Sequence, residues 1–130
     1  MAVDIPFRRQ LDFDYGTADV VGPGIRRVIA ENPSPFTLYG TGTYILGSGS
    51  VAVVDPGPAD EAHIAALLRA TEGETISHIL VTHTHMDHFV GLPFFAPAYN
   101  PTNKVSFWSG HLRPDRTLRE ACEHLMSNPL

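Results

Sequence analysis

One cysteine, Cys122, stands among the 130 residues. No internal disulfide can form, and a lone thiol fits a reducing compartment, so a cytoplasmic location is expected. No apolar run approaches the ~20 residues needed to cross a bilayer, and no membrane partner is expected. The opening residues MAVDIPFRRQ have no apolar core and carry Asp4 early, so they do not read as a secretory signal. Basic residues are scarce, with 9 against 14 acidic ones and a net charge of −5. No basic stripe is visible, which argues against a nucleic-acid partner. The chain is 43% hydrophobic and only 18% charged, a globular composition. Its length suits one domain and excludes separate cofactor and substrate domains.

Glycine and proline, by contrast, are abundant and divide the chain. Residues 1–24 read as an N-terminal arm with room for one strand, and 25–130 as the domain proper. Within the domain, 25–30, 43–46 and 51–54 are β-rich runs, the last two joined by Gly47-Ser48-Gly49-Ser50 as a hairpin. Val51–Val54 is apolar on both faces and is expected to be a central strand. Asp55-Pro56-Gly57-Pro58 stops it. Residues 59–71 follow as a helix, with Ile64, Leu67, Leu68 and Thr71 on its apolar stripe and Gly73 as its C-cap. Residues 76–82 then form a strand, so strand, helix and strand make a βαβ unit. Three prolines limit 86–103 to short elements, and 104–108 read as a further strand. Residues 115–127 form a helix opened by the capping box Thr117-x-x-Glu120.

Seven histidines are present, and three of them fall between positions 83 and 88. The segment Thr82-His83-Thr84-His85-Met86-Asp87-His88 follows an apolar strand. On extended backbone His83 and His85 point to the same side, and Asp87 and His88 follow where the chain turns. Imidazole and carboxylate together suit Zn²⁺, with Fe or Mn as alternatives. The end of a strand in an α/β sheet is also where such folds place their sites. Of the other histidines, His63, His78 and His124 read as structural or solvated. Cys122, on the apolar side of the last helix, reads as a packing residue. Phe94, Phe95, Tyr99 and Trp108 read equally as core or as a pocket wall.

The pattern His83-x-His85-x-Asp87-His88 after an apolar strand resembles the metal-binding motif of the metallo-β-lactamase superfamily, and Val54-Asp55-Pro56-Gly57 resembles that superfamily's first motif. The resemblance implies an α/β fold, the αββα sandwich, of which this chain would be about the N-terminal half. It implies that His83 and His85 bind one metal, that Asp87 and His88 bind a second, and that Asp55 orients the site. It further implies one or two zinc ions and a zinc-bound hydroxide that attacks an ester, thioester or phosphodiester of a small molecule, with Asp87 holding the attacking water. Residues 25–85 are similar to the branch of glyoxalase II-type thioesterases, and 86–130 to phosphodiesterase-like hydrolases. Gly42 stands where many members of the superfamily have Asn.

The superfamily's remaining ligands, a third His, a bridging Asp and often a last His, belong by resemblance to a C-terminal half. After His88 the chain offers only His111, His124 and Asp115. His111 is a candidate extra ligand, although a loop histidine is the simpler reading. Three functions therefore stay open: a metal-dependent hydrolase, a half-domain with weak or no metal binding, and a chain that pairs with a second copy as a homodimer.

Overall fold

Alternation of apolar residues organises the chain around one sheet. The computed structural model describes residues 10–82, 85–107 and 117–127. Six strands occur in the order β1 (Asp19–Gly22), β2 (Ile25–Ile29), β3 (Gly42–Ser48), β4 (Ser50–Val54), β5 (Thr75–Val81) and β6 (Lys104–Phe107), and their order in the sheet is the same. β1 to β4 form an antiparallel meander, whereas β5 lies parallel to β4 and β6 parallel to β5. The stretch 1–24 thus contributes the edge strand β1. The hairpin between β3 and β4 is tighter than 47–50 suggests, because Ser48 pairs with Ser50 across Gly49. As expected, β4 is central, with β3 on one side and β5 on the other.

Between β4 and β5 runs the crossover helix α1 (Glu61–Ala70). Asp60 caps it, its side chain accepting from the His63 amide at 2.8 Å. The helix ends at Ala70, and Thr71 rather than Gly73 occupies the C-cap. The Thr71 hydroxyl donates to the Leu67 carbonyl at 2.9 Å, which closes the last turn before Gly73 is reached. The buried face is turned by about one residue from the stripe expected of the sequence. His63, Ile64, Ala66 and Leu67 are buried, while Leu68 is exposed.

One face of the sheet holds the core. Val28, Ile45, Val51, Val53, Ile76 and Ile79 meet Ile64, Ala66 and Leu67 of α1. Leu92 and Phe95, from two 3₁₀ turns (Leu92–Phe94 and Ala96–Tyr99), complete the same cluster. Phe95 is therefore core, and Phe94 and Tyr99 are exposed. A bulge in β5 leaves Ser77 without a strand partner, and its hydroxyl donates to the Val51 carbonyl at 3.0 Å. On the opposite face Ile25 pairs with Leu46, and Tyr44 with Val54, which pairs in turn with Leu80. Ile25, Tyr44 and Leu46 on that face are exposed.

Beyond β5 the short helix α2 (Met86–Phe89) precedes the 3₁₀ turns, and α3 (Leu118–Ser127) follows β6. The capping box is made as expected: the Thr117 amide donates to Glu120 at 2.8 Å and the Glu120 amide to the Thr117 hydroxyl at 3.3 Å. Cys122 is half-buried, and burial pushes its thiol pKa up. No helix among the described residues is long and apolar enough to cross a membrane.

The end of the sheet far from the histidine motif is tied by Arg26. Its guanidinium donates to the Ala70 carbonyl at 2.7 Å and to Glu74 at 2.6 Å, and the other Glu74 oxygen accepts from the Gly49 amide at 3.0 Å. The Arg26 hydrogen bond holds the Glu74 carboxyl below the usual range, helped by the Gly49 amide. A carboxyl lowered on folding contributes stability above its unfolded pKa and loses it as the pH falls through the folded value. Acidification below the ordinary glutamate range should therefore weaken the wild-type chain more than Glu74→Gln, as read by urea midpoints across pH. Equal acid sensitivity in the two would contradict this.

Candidate metal centre

The parallel pairing of β4 and β5 brings the two sequence motifs side by side. β4 ends at Val54, opposite Leu80 of β5, and the ladder continues one step further through the Asp55 amide, which donates to the Leu80 carbonyl at 2.8 Å. The chain then turns sharply. Asp55 has a φ of 52° and Gly57 one of 88°. Asp tolerates the left-handed region better than most residues, but the conformation still costs about 1–3 kcal/mol.

From this turn the Asp55 carboxylate takes two hydrogen bonds from Thr82, one from its amide at 2.8 Å and one from its hydroxyl at 2.6 Å. Its Oδ2 also lies 3.5 Å from His88 Nδ1. Burial opposes the charged form of Asp55, yet His88 and Thr82 outweigh it and hold the carboxyl below the usual range. The same Asp55 carboxylate raises the His88 imidazole above its ordinary value against the effect of burial, with Asp87 adding to the rise.

His88 and Asp87 sit on α2, just after β5. His88 Nε2 is 3.1 Å from Asp87 Oδ2, and that oxygen accepts from the Thr41 hydroxyl at 2.9 Å. Thr41 is itself fixed by Asn32, which accepts from the Thr41 amide at 2.8 Å and donates to its hydroxyl at 3.1 Å. The loop around α2 is pinned from behind: the Gly57 amide donates to the His88 carbonyl at 3.0 Å, and the Gly91 amide to the Gly57 carbonyl at 2.9 Å. A Cβ on Gly91 would lie 2.6 Å from the Pro58 carbonyl oxygen, so only glycine fits that approach.

The structure thus joins Asp55, Asp87 and His88 in one chain of polar contacts. His85 stands exposed just before α2, its carbonyl accepting from the His88 amide at 3.0 Å. Among the described residues, no three His, Cys, Asp or Glu side chains converge as a ligand set. His83, His111 and Asp115 lie outside the described residues. In kind the donors fit a divalent cation. Asp87 Oδ2 and His88 Nε2 face each other at 3.1 Å, and both are donor types that zinc takes. The second nitrogen of His88 faces a carboxylate, the usual support for a ligating imidazole. Sequence reading overlooked Thr41, Asn32 and Thr82, whose side chains anchor the carboxylates. A threonine beside a motif is too common to be singled out without the fold.

With this geometry in view, comparison with known proteins is direct. Residues 37–105, just over half of the chain, match the family model of the metallo-beta-lactamase superfamily. The chain belongs to that superfamily. It is 40% identical over 76 residues to an atrochrysone carboxyl ACP thioesterase of Cryptosporiopsis sp., a match covering 56% of this chain and 24% of that protein. It is 37% identical over 103 residues to a lactamase-like protein of Penicillium aethiopicum, covering 76% of this chain and 32% of the relative. A beta-lactamase domain protein from Burkholderia ambifaria superposes with a TM-score of 0.56 at 26% identity, over 79% of this chain and 32% of that one. The chain therefore spans about a quarter to a third of the proteins it matches. Its mixed sheet with helices against one face is the α/β arrangement of the N-terminal part of that fold.

Asp55→Asn keeps the shape but removes the charge between Thr82 and His88. It should cost about 1–3 kcal/mol of stability and return the His88 imidazole toward its ordinary pKa. Urea unfolding and an NMR titration of His88 in metal-free protein read both effects. An unchanged His88 titration would contradict the arrangement.

Proposed function

We propose that this chain carries the metal-binding part of a metal-dependent hydrolase acting on an ester, thioester or phosphodiester of a small molecule. The contact chain Thr41–Asp87–His88–Asp55–Thr82, at the ends of two parallel strands, carries this reading. The thioesterase among the relatives favours the thioester within that class.

In this reading His83, His85, Asp87 and His88 hold one or two zinc ions, with Fe or Mn as alternatives, and Asp55 orients the centre. A bound divalent cation supplies Lewis acidity and lowers the pKa of water from about 15.7 toward about 7. The protein's part is positional. Thr41 fixes one oxygen of Asp87, which would hold the carboxylate in one orientation toward a bound cation. Asp55 faces His88 Nδ1, which turns Nε2 toward Asp87. Asp87 would accept a hydrogen bond from the attacking water. His111 is the residue the chain offers as an additional ligand.

Metal analysis after purification should find one or two zinc ions per chain, removable by a chelator. Hydrolysis of a thioester, phosphodiester and lactam panel should show turnover that falls to the buffer rate in His83→Ala and His85→Ala. Turnover that survives both substitutions would overturn the reading, and a metal-free, inactive chain would leave the half-domain reading in its place.

A second reading draws on the open sheet face. Ile25, Tyr44 and Leu46 leave apolar surface in water, and two copies joined there would complete each other's site. Sedimentation should then find a dimer, with Leu46→Glu shifting it to monomer. A stable wild-type monomer would rule this pairing out.

A further inference from the structure

The buried titratable group that this chemistry leaves unused is His63. It is only 4% exposed, on the core side of α1. Its Nε2 lies 2.9 Å from the hydroxyl of Thr43, which is fully buried, and that hydroxyl donates to the Asp55 carbonyl at 2.6 Å. A hydroxyl has one proton to give. Since Thr43 gives it to Asp55, Nε2 must carry the imidazole proton and donate to Thr43. Nδ1 is then a bare lone pair, and it is buried without a hydrogen-bond partner. Burial keeps the ring neutral by pushing its pKa down, against smaller opposing effects of Asp60 and of the Pro56 carbonyl.

An imidazole placed this way is costly, since its buried Nδ1 has lost water and gained no partner. An apolar side chain would fill the same space without that cost. What the imidazole does hold is the turn that carries the candidate centre. The relay ends on the carbonyl of Asp55, the residue in the left-handed conformation, and the ring lies against the next part of the turn. A Cβ on Gly57 would fall 2.5 Å from Nε2, so the loop backbone rests directly on the imidazole. Gly57 in turn donates to the His88 carbonyl.

We infer that His63 is a positioning residue. Through Thr43 it fixes the Asp55 backbone at the angle from which the carboxylate reaches Thr82 and His88. The inference rests on the metal-centre reading for what that position serves, but the relay itself can be tested without metal.

Long-range ¹H–¹⁵N NMR of the metal-free wild-type chain should show the neutral Nε2–H form of His63; an Nδ1–H form overturns the relay. The Thr82 amide reports on Asp55. In His63→Leu and Thr43→Val its hydrogen exchange should quicken about tenfold relative to the Ile79 amide of the same strand. His63→Gln and Thr43→Ser, which keep a donor and a hydroxyl, should restore it. Equal exchange at Thr82 in a folded Thr43→Val chain overturns the proposal even if His63→Leu does not fold. Zinc calorimetry then reads the link to the centre: affinity should fall about 10–100-fold in the two disrupting variants and recover in the two conservative ones. Equal affinity in all variants overturns the positioning role. A wild type that shows the predicted tautomer and protected Thr82 but binds no zinc upholds the relay and sinks the metal-centre reading.

Discussion

The hold of the Asp55 carboxylate on Thr82 is the contact on which the rest of the arrangement depends. It joins the end of β4 to the end of β5 with two short hydrogen bonds. It requires Asp55 to leave the strand in a left-handed conformation, and it places the same carboxylate beside His88. Together with the backbone bonds from Gly57 to His88 and from Gly91 to Gly57, it fixes the segment after β5 against the turn after β4. An ionised carboxylate accepting two hydrogen bonds is also a strong contact, because charge-assisted bonds exceed neutral ones roughly twofold. That strength offsets the backbone strain of the turn.

Around this contact the two faces of the sheet play different parts. The core face is filled by α1 and the 3₁₀ turns, and α1 also delivers His63 to the back of the turn. The other face leaves Ile25, Tyr44 and Leu46 in water. The chain spans about a quarter to a third of the relatives it matches. The candidate centre sits where β4 and β5 end.

Much of this is legible in the residues themselves. Val51–Val54 has no polar face and so belongs at the centre of a sheet, and the capping box at Thr117 marks the start of α3. The spacing from Asp55 to His88 carries the family likeness. Other features depend on tertiary context. β1 is short and its valines are exposed, and only its pairing with β2 makes it a strand. Leu68, expected on the apolar stripe, turns outward, while Ala66 and His63 join the buried face, because packing against the sheet and not hydrophobicity alone decides which residues are buried. His63 looks like an ordinary helix histidine until Thr43, twenty residues earlier, closes on it. Thr41 and Asn32 gain meaning only when their loop meets α2.

X-ray absorption at the zinc edge of the chain loaded with zinc tests the central claim most directly. Asp87 and His88 as ligands predict a first shell of nitrogen and oxygen near 2.0–2.1 Å. They also predict outer-shell imidazole scattering that weakens in His88→Ala and shifts in Asp55→Asn. A sulfur shell from Cys122, or a hydrated ion with no imidazole signal, would contradict the account.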